Sequence, residues 1–219
     1  MPVFFMRNRF VLSVTLLLLV FNVLAQNEWK LKSEKDGMTI YSRDVADSKI
    51  KAMKIKADFS AGLSAIASVL TDVKNYDTWV FNSKSTRLLK QVSPSELYYY
   101  SVAVFPWPVQ NRDFVSHITA SQDPATKTVT ILANNVDGWV PKSDKLVRIE
   151  KSSGKWVLTG LSDQKTTVEY SLEVDPAGSL PAWIINSFSS KGLTETFKKL
   201  RKQLELPETK NGAASFIKD

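Results

Sequence analysis

Two adjacent charges, Arg112 and Asp113, are the residues of this chain whose types and setting point most directly to a site. They lie in Phe105–Val115, FPWPVQNRDFV, which packs two prolines and a tryptophan between two strand-like runs. Pro106 and Pro108 cannot donate to a central ladder, so the segment predicts a corner at a sheet edge. The pair then opens the next strand, where a charge needs a partner. Two readings stand open. Arg112 is either a buried anchor tying the corner to a neighbouring strand, or it faces a cavity and meets a polar ligand group.

The rest of the catalytic inventory is thin. His117 is the only histidine, which excludes a metal site built on two of them and leaves a Ser-His-acid triad one candidate base. It is out of phase with Arg112, Phe114 and Ser116, so it is expected to be structural or surface-facing rather than catalytic. There is no cysteine, no G-x-S-x-G elbow, no phosphate-cradling glycine loop and no dinucleotide fingerprint. Ser-x-x-Lys recurs at Ser48/Lys51, Ser152/Lys155 and Ser162/Lys165, as a chain rich in both residues gives by chance. No catalytic residue, metal or cofactor is therefore assigned.

The N-terminus reads as a leader. Arg7 and Arg9 precede an apolar or small-residue run from Phe10 to Leu24, and Val23-Leu24-Ala25 suits a signal peptidase. The run is short for a spanning helix, which needs about 20 apolar residues. Cleavage after Ala25 would leave 194 residues, enough for one domain with a sizeable core. The chain carries +7, and losing the leader's two arginines leaves +5, compatible with anionic headgroups and with ordinary solubility. The leader makes the expected location periplasmic or secreted, the absence of an Asn-x-Ser/Thr sequon favours a bacterial periplasm, and the absence of cysteine excludes a disulfide scaffold.

Residues 26–206 read as one domain, with 207–219, PETKNGAASFIKD, a flexible tail. A first strand is expected at Met38–Arg43 and a second where Met53, Ile55, Ala57 and Phe59 alternate with polar residues. Ser60 is a candidate N-cap for a helix carrying Leu63, Ile66, Leu70 and Val73. Asp72–Val80 adds a short helix presenting Tyr76 and Trp79. Seven strands follow: Ser85–Gln91, Glu96–Val104, Asp113–Ser121, Thr126–Ala133, Lys145–Lys151, Lys155–Leu161 and Thr166–Asp175. Their hairpin-like spacing predicts an antiparallel sheet.

Leu180–Leu206 predicts a closing helix on the order of 40 Å long. Ser179 is its candidate cap, Pro181 sits in its first turn, and Leu193, Phe197, Leu200 and Leu204 form its apolar stripe. Gly192 marks a kink or hinge. Lys198, Lys199, Arg201 and Lys202 fill its other sides, either as a solvated face or as a membrane contact. Nucleic acid is not an expected partner. Trp79, Trp139 and Trp156 are expected in the core, whereas Trp107 and Trp183 stand beside prolines, where an amphipathic ring suits a membrane interface. The class is α+β: a curved antiparallel sheet with one long helix laid across it. The space between is either filled by side chains or left as a cavity.

From Trp29 to Leu204 the chain resembles the START family, the steroidogenic-acute-regulatory-related lipid transfer domains of helix-grip fold. PWPVQNRDFV at Pro106–Val115 carries the resemblance most specifically. Supporting it are the strand-strand-helix opening with Tyr76 and Trp79, and GSLPAWIINSFSSKGLTETFKKLR at Gly178–Arg201. The resemblance implies a monomeric carrier enclosing one lipid or other hydrophobic small molecule, lidded by the terminal helix and touching a membrane transiently. It matches Asn111, Arg112, Asp113 and Phe114 to the family's strand start. Tyr99 and Ile118 stand where sterol-binding members carry a cavity acid and base, which opens a more apolar or acyl ligand beside a sterol.

The cavity candidates are Tyr98, Tyr100, Arg112, Phe114, Ser116, Trp183 and Phe188, with Arg112, Tyr98 or Tyr100 orienting the ligand's polar end. The membrane-contact candidates are Trp107, Trp183, Lys198, Lys199 and Lys202. Two rivals remain: a polyketide-cyclase-like enzyme in the same cavity, and an interaction module with a filled core.

Overall fold

The computed structural model describes residues 28–178, 180–210 and 212–218. The leader-type segment and the candidate cap Ser179 lie outside the described residues. Ten strands form one sheet: β1 Lys30–Lys35, β2 Met38–Arg43, β3 Ala52–Phe59, β4 Ser83–Ser93, β5 Glu96–Ala103, β6 Arg112–Gln122, β7 Val129–Asn135, β8 Val147–Arg148, β9 Lys151–Ser162 and β10 Lys165–Asp175. Their order is β1-β2-β3-β10-β9-β7-β6-β5-β4, antiparallel throughout, with the two-residue β8 added in parallel beside the start of β6. The helices are α1 Leu63–Thr71, a 3-10 turn at Val73–Asn75, the single-turn α2 Tyr76–Trp79, the long α3 Ala182–Leu204 and the short α4 Pro207–Lys210.

The sheet grips α3, as the expected α+β helix-grip class requires. In β3 and β10 strict alternation turns Ile55, Ala57, Phe59 and Val168 inward. On α3 the stripe Leu193, Phe197, Leu200 and Leu204 is buried against them, with the Phe197 ring 5.5 Å edge-on to Phe59 and 5.8 Å from Trp156. Ile66 and Leu70 of α1 complete this core. The C-terminal half of α3 is thus set in solid packing. Its N-terminal half, Ala182–Gly192, lies over a different region of the sheet.

Several local expectations are corrected. β1 is fully exposed, an edge strand of lysines and glutamate that carries no hydrophobic pattern and so escapes periodicity. Lys145–Lys151 is not one strand: only Val147–Arg148 pairs with β6, and β9 begins at Lys151. Gly62, not Ser60, is the N-cap of α1, without a side-chain cap bond, and Pro181 is the N-cap of α3 rather than part of its first turn. The helix runs unbroken through Gly192, whose function is close approach: a Cβ there would stand 3.2 Å from the Phe81 ring. At 23 residues α3 spans about 35 Å.

The C-terminal segment is also not free. Ala214 is buried and its N–H donates to Ser64 Oγ at 2.9 Å, while Phe216 and Ile217 pack on the main core. Gln122 brackets Lys218, donating to its carbonyl at 2.9 Å and accepting from its N–H at 2.8 Å. The polar composition of the segment concealed the apolar residues that seat it on the core, Ala214, Phe216 and Ile217.

Candidate functional site: an apolar cavity under α3

Between the N-terminal half of α3 and strands β5, β6, β7, β9 and β10 lies a cavity of about 250 Å³. Its sheet wall comprises Tyr99, Ser101 and Ala103 of β5, Phe114, Ser116 and Ile118 of β6, Ile131, Ala133 and Asn135 of β7, Gly154 and Trp156 of β9, and Tyr170, Leu172 and Val174 of β10. Tyr76, Trp79 and Phe81 form one side, and Phe188, Gly192, Leu193 and Thr196 of α3 form the lid. Among the described residues that line it, none is Asp, Glu, Lys, Arg or His.

The lid is held by specific contacts. The Phe188 ring sits between Phe81, 5.3 Å away, and Phe105, against which it stacks at 4.4 Å. The Phe81 N–H donates to Thr196 Oγ1 at 3.1 Å, and the Lys51 N–H donates to Asn186 Oδ1 at 3.0 Å. The β5–β6 corner and the start of α3 therefore close the same end of the cavity.

Phe114, Ser116 and Phe188 line the cavity as expected. Tyr98 and Tyr100 do not. In β5 the inward residues are Tyr99, Ser101 and Ala103, and the neighbouring tyrosines face outward. Tyr98 stacks at 4.3 Å on His117 and at 4.2 Å on Trp139, which leaves Trp139 on the outer surface rather than in the core. His117 is hydrogen-bonded at 2.8 Å to Glu96 on that same outer face. Trp183 is 71% exposed and also lies outside the cavity wall. Tyr99 and Ile118 do stand in the wall, where the family resemblance put them.

The Arg112–Asp113 pair is divided by the pleat. Asp113 points to the outer face and accepts from Arg148 Nε at 2.8 Å and Nη2 at 2.9 Å, a bidentate pair nearly sealed from solvent. Tyr100 donates to Asp113 at 3.2 Å, and Arg148 also donates to the Val140 and Pro141 carbonyls at 3.1 and 3.2 Å. Hydrogen bonding to Asp113 raises the Arg148 pKa, and burial followed by the Asp113 charge raises that of Tyr100. Around this network Tyr100, Val102 and Val115 pack with Val136, Val140 and Leu146 as a second small core.

Among the described residues Arg112 meets no carboxylate. Only 3% exposed, it donates to the Gln110 carbonyl and, at 3.5 Å, to that of Pro176, and its guanidinium lies 4.9 Å from the centre of the Phe105 ring. Burial pulls its pKa down. It is the anchor of the corner, placed behind Phe105 rather than in the cavity wall.

Tyr76, Tyr99 and Tyr170 have their pKa values pushed upward, in each case chiefly by burial. The folded protein therefore keeps three protons that the unfolded chain releases as pH passes about 10. Stability carried by these phenols is complete below that pH and falls as pH climbs through it. Urea midpoints should decline above pH about 10, with phenolate absorbance from the three residues appearing only as the protein unfolds.

The START domain model matches residues 17–210. The chain belongs to the START domain family. It is 34% identical over 184 residues to an uncharacterized protein of Pseudomonas aeruginosa, covering 84% of this chain and 90% of that one. The crystal structure of a STAR-related lipid transfer protein fragment from Xanthomonas axonopodis superposes with a TM-score of 0.75 at 29% identity, covering 81% of this chain and 99% of that one. Rat phosphatidylcholine transfer protein is 24% identical over 186 residues, 80% of this chain and 83% of that protein. Within this START chain, the two structural anchors of the β5–β6 corner and the uncharged wall are separate features: the first fixes the fold and the second confronts a ligand.

Proposed function

We propose that this START protein is a carrier that encloses one hydrophobic ligand, a lipid or a similar small molecule, and passes it between membranes without chemical change. The single observation carrying the reading is the cavity under α3, whose described wall is mainly apolar in area, carries hydroxyls and one amide, and holds no charged side chain. Such a wall offers burial, at about 0.8 kcal/mol per CH2, but no acid, base or nucleophile pair.

Entry requires the N-terminal half of α3 to lift, since Phe188 and Gly192 lie on the cavity while the C-terminal half is locked in the core. Trp107 at 92% exposure and Trp183 at 71% mark that same end and supply the membrane contact. Lys199 and Lys202 add charge attraction to anionic lipid along α3, whereas Lys198 is also paired with Asp36 at 3.4 Å. Arg112, held behind Phe105, fixes the corner that carries Trp107. The protein acts as a monomer and, if residues 1–25 are a leader, in the periplasm or outside the cell.

Lipid movement from donor to acceptor vesicles tests the reading. Wild type should accelerate it, and the Trp107→Ser/Trp183→Ser variant should bind vesicles roughly tenfold more weakly, with its unfolding midpoint unchanged because both rings are exposed. Transfer no faster than without protein would contradict the proposal.

A further inference from the structure

The wall of the cavity also narrows the ligand, on the carrier reading just given. Tyr99 and Tyr170 both line the cavity. Tyr170 makes no hydrogen bond among the described residues, whereas the Tyr99 hydroxyl is hydrogen-bonded to Ser116, whose own hydroxyl is directed at 3.4 Å to the Asn134 carbonyl. The Tyr170 ring is fixed: it stacks on Trp156 at 4.0 Å and fills the space that a side chain at Gly154 would need, its hydroxyl 3.0 Å from where a Cβ would stand. A buried hydroxyl without a partner is costly, so Tyr170, with Tyr99 on the same wall, calls for a polar atom from the ligand.

That atom carries no full charge. No lining residue offers a counter-charge, and the nearby buried cation, Arg112, is screened by the Phe105 ring. An ionised carboxylate or phosphate entering here would leave water without compensation. Size restricts the ligand as well. About 250 Å³ falls below the roughly 300–1,000 Å³ of pockets that bury drug-sized ligands, so a cavity of this size does not enclose a two-chain lipid.

We infer that the cavity selects a compact or single-chain uncharged lipid, whose hydroxyl or carbonyl oxygen is held by the Tyr99 and Tyr170 hydroxyls. A phenol can donate to either group, and a hydroxyl ligand can donate back. The apolar remainder lies along Phe114, Ile131 and Leu172.

Calorimetric titration with n-decane, n-decanol and decanoate, at a pH where the acid is ionised, separates the possibilities. Wild type should bind n-decanol at least tenfold more tightly than decanoate. The Tyr99→Phe/Tyr170→Phe variant should lose about tenfold for n-decanol and keep its affinity for n-decane within about twofold, because only hydroxyls are removed. Decanoate binding as tightly as n-decanol would overturn the inference, and loss of that binding in Arg112→Gln would move the polar end to Arg112. An unchanged n-decanol affinity in the double variant would overturn it too. The comparison of alcohol with carboxylate on wild type needs no variant to fold. Binding of none of the three by wild type would instead count against the carrier reading itself, and this inference would fall with it.

Discussion

Replacing Asp113 with alanine should cost about 3–5 kcal/mol of folding stability, because it strands a buried guanidinium. Asp113 and Arg148 are 1% and 8% exposed, and every polar atom that Arg148 presents is directed at Asp113 or at the Val140 and Pro141 carbonyls. Without the carboxylate, two of its donors lose their acceptor where water does not reach. For a domain of this size the loss corresponds to a fall in Tm of roughly 6–20 °C. The pair variant Asp113→Leu/Arg148→Met should recover most of it, since removing both charges leaves an apolar patch beside Val115 and Leu146. Urea unfolding of the single and double variants checks both results. A single variant as stable as wild type would mean that solvent reaches Arg148 and that the corner is not a buried network.

Filling the cavity should abolish ligand uptake while leaving the fold in place. Ala133 lines the wall from β7, paired across the ladders with Ile118 on one side and Gly154 on the other. A phenyl ring added there occupies space that is otherwise empty, so the usual overpacking cost of about 1–3 kcal/mol is largely avoided. The volume removed is a sizeable part of about 250 Å³. The Ala133→Phe variant should keep the wild-type unfolding midpoint within a few degrees and lose ligand affinity by about a hundredfold or more. Equal affinity in variant and wild type would place the ligand elsewhere.

The architecture was legible because its elements repeat with clear periods. β10, with Val168 and Tyr170 alternating against Glu169 and Ser171, and α3, with its 193–197–200–204 stripe, declare which face is buried. The charged edge strand β1 was not legible, because a strand exposed on both faces has no apolar alternation to read. The wall of the cavity was only half legible. Phe114 and Ser116 follow from the phase of β6, but β5 reads Leu-Tyr-Tyr-Tyr, aromatic on both faces, so alternation could not say which tyrosines turn inward. The outer face is aromatic because a loop folds over it: Val136, Val140 and Leu146 pack on Tyr100, and Trp139 stacks on Tyr98. That cover comes from a segment far along the chain, which no local pattern reveals. The inward tyrosine was signalled only by Tyr99 standing at a family cavity position. The second, Tyr170, lies in plain alternation, which gives its face of β10 but nothing of a cavity.

Arg112 and Asp113 illustrate the same physics at closer range. Adjacent residues of a strand face opposite sides, so the pair is not an ion pair. One charge is matched at Arg148 and the other rests on carbonyls and an aromatic ring. Both residues secure the corner, and the uncharged wall is left to the ligand.

Native mass spectrometry of the gently purified protein tests the central claim most directly. The account predicts a population heavier than the bare chain by one hydrophobic molecule, at one per protein, which organic extraction releases and the Ala133→Phe variant lacks. A bare mass throughout, from a protein that also takes up nothing when offered a library of lipids, would contradict it.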